Sequence, residues 1–213
     1  MTTLRTVRDE IAALVTTALA TPFGGLTCPD VHGYSGGRST PVVFVHGLLG
    51  GRANFRTLRE HLTARGFHDF TTFSYAPRID YQRLAPRLGE HIDAVTRETG
   101  AERVDVVGHS LGGLVARQLI EMSGVRNVRR LVTLAAPYFG ERFAARELAV
   151  FASDDVLVAP PVLGSSGRAH VTIVPECGHV GILSHPTALD CVAHHLRAPL
   201  RSVSRSTRTE AAA

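Results

Sequence analysis

At 213 residues the chain has room for one well-buried domain and little for a second. Its 23 basic and 19 acidic residues leave a net charge of only +4, and the arginines are scattered rather than blocked with aromatics, which argues against a nucleic-acid partner. No apolar run approaches a membrane span, and three cysteines at no metal-ligand spacing (Cys28, Cys177 and Cys191) predict buried free thiols, with a Cys177–Cys191 pair as the alternative in an oxidising compartment.

Leu4, Val7, Ile11, Leu14 and Val15 recur at helical spacing and predict an amphipathic docking helix. Residues 11–20 resemble the apolar core of a signal peptide, but Asp9 and Glu10 stand where such a leader carries only positive charge. The expectation is therefore a retained helix in a cytoplasmic protein, with secretion as the alternative. Residues 21–40, rich in Gly, Pro, Ser and Thr, complete an N-terminal extension over 1–40.

The apolar run 41–45 predicts a strand buried on both faces. Phe55, Leu58 and Leu62 mark a helix stopped at Gly66, and 70–73 is the next strand. Asp80 opens a helix carrying Leu84, Leu88, Ile92 and Val95 and closed by Gly100; Pro86 kinks it or shifts its start. A strand at 104–107 is followed by a helix with Leu111, Leu114, Val115, Leu119 and Met122 on one face. Strands at 130–134, 148–152 and 170–174 and a last helix around Leu189, Val192 and Leu196 complete the pattern. Alternating strands and helices predict one α/β domain over 41–198, a parallel sheet of about six strands with helices on both faces. A flexible tail over 199–213 follows.

Between the strand at 104–107 and its helix lies Gly108-His109-Ser110-Leu111-Gly112. Strand, tight turn and helix form the context in which G-x-S-x-G holds a nucleophilic serine at a sharp elbow, with glycines where the two backbones pass close together. Residues 33–37 match the same expression around Ser35, but they follow a turn and run into Gly37 and Pro41, so no helix can start there. Ser110 is the candidate nucleophile.

In a parallel α/β sheet, reacting groups gather at the carboxyl ends of the strands. Ser153, Asp154 and Asp155 follow the fifth predicted strand, and Glu176, Cys177, Gly178 and His179 follow the sixth. Serine, acid and histidine thus appear in that order, each on its own loop. Serine needs a neutral imidazole to take its proton, and the imidazole needs a carboxylate to fix its tautomer. His179 is the candidate base. Asp155 is the preferred acid because the apolar run 156–158 can anchor it, and neighbouring Asp154 is the alternative. Glu147 precedes its strand at the wrong edge, and Asp105 violates the chain order. His109, beside the serine, is expected to pack or hydrogen-bond without doing chemistry. The anion on a substrate carbonyl would meet the N–H groups of Leu111 and of Leu48, in the His46-Gly47-Leu48 turn after the first strand.

These stretches (42–51, 104–113, 153–158 and 177–183) make about three quarters of the chain, residues 41–196, resemble the small bacterial triacylglycerol lipases and esterases of the α/β-hydrolase superfamily. The resemblance implies a minimal α/β-hydrolase fold and places the acid on Asp155 and the base on His179. The short stretch between Pro137 and Leu148 leaves no room for the large helical lid of bigger lipases. The expected site is open, with walls drawn from Leu48, Leu49, Tyr138, Phe139, Phe143, Val156 and Leu157.

The expectation from sequence is a serine carboxylester hydrolase that acts on a small-molecule or lipid ester without metal or organic cofactor. A thioesterase or acyltransferase on the same three groups is the near rival. A ligand-binding protein that has lost turnover is the rival from another class.

Overall fold

The computed structural model describes residues 39–76, 80–124, 127–139, 146–162 and 171–199. The expected N-terminal helix, Cys28, the second G-x-S-x-G around Ser35, Phe143, His170 and the tail beyond residue 199 lie outside the described residues. Six parallel strands form one sheet: β1 (Val42–Val45), β2 (Phe70–Phe73), β3 (Val104–His109), β4 (Val128–Leu134), β5 (Glu147–Ala152) and β6 (Val171–Val174). Their spatial order is β2-β1-β3-β4-β5-β6, so β1, the first described strand, lies beside the edge strand β2 and the later strands add on its other side.

Among the described residues, four α-helices cover the sheet: α1 (Arg56–Thr63), α2 (Tyr81–Thr99), α3 (Leu111–Ser123) and α4 (Pro186–Arg197). Strand alternation decides which helix each residue meets. Val42 and Phe44 of β1 face a layer made of Phe55, just before α1, together with Leu58, Leu62, Leu189 and Val192 of α1 and α4. Val43 and Val45 face Leu84, Leu88, Leu114 and Val115, supplied by α2 and α3. All four β1 residues are fully buried, and each such side chain contributes about 1.5–3 kcal/mol over leaving it in water. Phe44 stacks on Phe55 with ring centroids 4.8 Å apart.

Helix ends follow local chemistry. The Asp80 carboxylate accepts the Arg83 N–H at the start of α2, and Gly100, at φ 70°, closes it. Pro86 lies within α2 and does not shift its start from Asp80. At α4, Pro186 occupies the first turn, where its missing N–H costs nothing.

Three strand boundaries differ from expectation. β3 runs two residues further, to His109, so the turn is confined to Ser110. β4 begins at Val128. β5 begins at Glu147, which belongs to the strand instead of preceding it. Glu147 is tolerated inside because the Arg117 guanidinium of α3 lies 2.8 Å away and the Thr133 hydroxyl donates to it at 3.0 Å. A carboxylate and a guanidinium that pair this way escape the cost of a lone buried charge. Asp105 is likewise structural, held by Arg129 at the opposite end of the sheet from Ser110.

Register aligns the carboxyl ends. Val45 pairs with Gly108, His109 with Leu134, Leu134 with Val150, and Ala152 with Val174. The turns after β1, β3, β4, β5 and β6 therefore open on one edge. The connection from β4 to β5 occupies only residues 135–146, and among the described residues no large lid stands over the edge.

Candidate active site

Ser110 sits alone between the last residue of β3 and the first of α3, with φ 52° and ψ −122°. This left-handed conformation is unusual for a residue with a Cβ and costs on the order of 1–3 kcal/mol. Neighbours over-determine it: the Ser110 N–H donates to Leu134 O at 2.9 Å, and its carbonyl accepts the Gly113 N–H at 2.9 Å. Gly112 explains why the motif needs glycine. A Cβ there would lie 2.1 Å from the Val45 carbonyl oxygen, so only a bare Cα lets α3 start this close to β1.

Strain is concentrated on this edge. The non-glycine residues with positive φ among the described residues are Leu49, Ser110, Ala135 and Glu176, which follow β1, β3, β4 and β6 respectively. Strain of this kind gathers where function dictates geometry.

The structure brings His179 and Asp155 together. His179 Nδ1 lies 2.8 Å from Asp155 Oδ2, and both side chains are almost fully buried. A carboxylate oxygen only accepts, so Nδ1 carries the proton and Nε2 keeps its lone pair. The other oxygen, Oδ1, accepts the N–H groups of Leu157 at 2.8 Å and Val158 at 2.7 Å. Backbone donors therefore anchor Asp155; of the apolar run expected to do so by packing, only Val158 is buried, while Val156 and Leu157 are exposed. Asp154 is half-buried, and its N–H donates to Cys177 O at 2.9 Å. Ser110 Oγ and His179 are not hydrogen-bonded in this structure; in resting hydrolases this contact often closes only around substrate.

The turn after β1 packs on the serine. A Cβ on Gly47 would stand 3.0 Å from Ser110 Cβ. The N–H groups of Leu48 and Leu111 donate to no other described residue, and Leu111 opens α3, where the first N–H groups lack helical partners. His46 holds this turn. The Tyr75 N–H donates to His46 Nε2 at 3.3 Å, which leaves the proton on Nδ1, donated to Gly47 O at 2.9 Å. Tyr75 also stacks on the His46 ring at 4.3 Å, and its hydroxyl donates to the His46 carbonyl. Burial lowers the His46 pKa and raises that of Tyr75, so both stay neutral. Sequence reasoning missed Tyr75, since a lone tyrosine after a strand carries no signal of what it will stack on.

Leu48, Leu49, Phe139, Val156 and Leu157 are exposed, and all lie on the turns of this edge. Tyr138 is half-buried, with the Arg117 guanidinium 6.0 Å from its ring centre. Cys177 is buried and Cys191 half-buried, both as free thiols. Among the described residues, no three His, Cys, Asp or Glu side chains form a group that could hold a metal. No described helix is long and apolar enough to cross a membrane.

The model of the alpha/beta hydrolase family matches residues 42–166, more than half of the chain. The chain belongs to that family. This α/β hydrolase is 27% identical over 129 residues to lysosomal thioesterase PPT2 of Mus musculus, a match covering 58% of this chain and 42% of the thioesterase. It is also 27% identical over 111 residues to a triacylglycerol lipase of Pseudomonas fragi, covering 50% of this chain and 37% of the lipase. The matches therefore span less than half the length of either curated relative. Among solved structures, lipase B of Aspergillus fumigatus superposes with a TM-score of 0.63 at 14% identity, over 80% of this chain and 55% of that one, a likeness of fold.

Proposed function

We propose that this α/β hydrolase cleaves carboxylic esters, as a lipase or esterase, through an acyl-enzyme on Ser110. The observation that carries the proposal is the buried Asp155–His179 pair on the same sheet edge as a serine held at φ 52°. His179 Nε2 takes the proton from Ser110 Oγ as that oxygen attacks the acyl carbonyl. Asp155 holds Nδ1–H and stabilises the imidazolium that forms. The N–H groups of Leu48 and Leu111 receive the tetrahedral oxyanion; one such donor is worth about 3 kcal/mol of barrier. The alcohol leaves with the proton from His179, and water repeats the sequence on the acyl-enzyme.

The exposed apolar residues around the edge support an acyl substrate. Scattered exposed leucines need no explanation, but five large apolar side chains on the turns of one edge fit an apolar group beside the serine. No metal or organic cofactor has a part in these steps. The test is hydrolysis of nitrophenyl esters from acetate to palmitate by the protein and by Ser110→Ala. Activity that disappears in the variant is expected, and an active variant refutes the proposal.

A second reading is thioester hydrolysis, favoured by the 27% identity to the thioesterase PPT2. It uses the same groups with a thiol as leaving group. A thioester cleaved at least tenfold faster (kcat/KM) than the matching oxyester would move the assignment to it.

A further inference from the structure

His109 is a buried histidine that the proposed chemistry does not use, yet it touches the turns after β1 and β6, both of which that chemistry needs. Its backbone precedes Ser110. Its Nε2 lies 3.0 Å from the carbonyl oxygen of His179, seventy residues away in sequence. A carbonyl only accepts, so Nε2 carries the proton and cannot take one from serine. Nδ1 faces the turn after β1, where a Cβ on Gly47 would stand 3.2 Å from it. The ring is buried, 6% exposed.

We propose that His109 is a positioning residue: its Nε2–H fixes the main chain of the His179 turn against the nucleophile elbow. This rests on the hydrolase assignment above. Asp155 controls the rotation of the His179 ring, and the Asp154 N–H ties the turn after β6, which carries the strained Glu176, to the neighbouring loop through Cys177 O. Neither contact ties that turn to the strand that carries the nucleophile. The Nε2–H bond joins that turn directly to β3, a central strand of the sheet.

The neutral form matters as much as the contact. The His109 and His179 rings lie 5.0 Å apart. Burial first, then the neighbouring His179, push the His109 pKa down to about 3; His46 adds to this, while Asp155 and the bond to the His179 carbonyl oppose it. His109 thus stays uncharged when His179 becomes imidazolium, and the anchor puts no second positive charge beside it.

Three variants separate positioning from packing. His109→Phe keeps the ring without the donor. His109→Gln carries an amide N–H out to the place of Nε2, and His109→Asn stops short of it. Circular dichroism selects folded variants, and if His109→Phe does not fold, the two amides carry the comparison. Phe and Asn should lower kcat by roughly 10- to 100-fold with KM within about twofold, while Gln stays within about threefold of the parent. The NMR signal of the His179 Nδ1 proton should move in Phe and Asn and return in Gln. An unmoved signal, or Gln falling with the other two, overturns the proposal. The NMR readout needs no substrate. An inactive parent whose His179 signal still responds to His109 would refute ester hydrolysis alone.

Discussion

Asp155→Asn tests the geometry most sharply because the structure dictates which way the amide must turn. Oδ1 already accepts two backbone N–H groups, from Leu157 and Val158. An NH2 there would face two donors, so the amide oxygen keeps that place and the NH2 falls at the Oδ2 position, 2.8 Å from His179 Nδ1. His179 must then offer a lone pair at Nδ1 and move its proton to Nε2. In that tautomer it cannot accept a proton from Ser110. The fold keeps both backbone bonds, so the loss falls on chemistry: about 10⁴ in kcat, or about 5 kcal/mol of barrier. The assay is nitrophenyl butyrate hydrolysis at saturating substrate, with circular dichroism as the control for folding. Asp154→Asn, on the same loop but outside the Asp155–His179 contact, should stay within about threefold of the parent. A folded Asp155→Asn with more than a tenth of the parent kcat refutes the reasoning, as does an equal loss in Asp154→Asn.

Strain at Ser110 predicts that Ser110→Gly is more stable than Ser110→Ala by about 1 kcal/mol, since glycine adopts φ 52° freely; equal urea midpoints would contradict this. Arg117→Met leaves the fully buried Glu147 carboxylate without its guanidinium and should cost about 3 kcal/mol in urea unfolding, most of it recovered in Arg117→Met/Glu147→Leu. His109 sets an acid sensitivity. Unfolded, it protonates below about pH 6.5; folded, not until about 3, so stability is lost as pH falls through that window, by about 2 kcal/mol at pH 5. Urea unfolding at pH 7 and pH 5 should show a smaller drop in His109→Gln by that amount, and equal drops would refute the assignment.

Much of the fold was legible because its signals are local. The continuous apolar run in β1 and the alternation of strands with amphipathic helices predict the parallel sheet without long-range information. The site was legible in part for the same reason: glycine spacing around Ser110 and the loops after β5 and β6 mark where polar groups converge. Asp155 could be preferred over Asp154 from its apolar neighbours, but not the two N–H groups that tie it down. What stayed hidden depends on contacts between distant segments. Glu147 looks misplaced until Arg117, thirty residues earlier, comes to lie beside it. The strain at Leu49, Ala135 and Glu176 has no residue signature, because it is imposed by the fold on side chains that do not favour it. Tyr75 and His109 likewise acquire their contacts only when turns from separate strands meet at one edge.

The most direct test of the central claim is labelling with a fluorophosphonate probe, followed by peptide mapping by mass spectrometry. One adduct on Ser110, absent from Ser110→Ala and slowed by at least 100-fold in His179→Ala, is the predicted result. A folded protein that takes up no probe, or takes it up at another residue, would contradict the account.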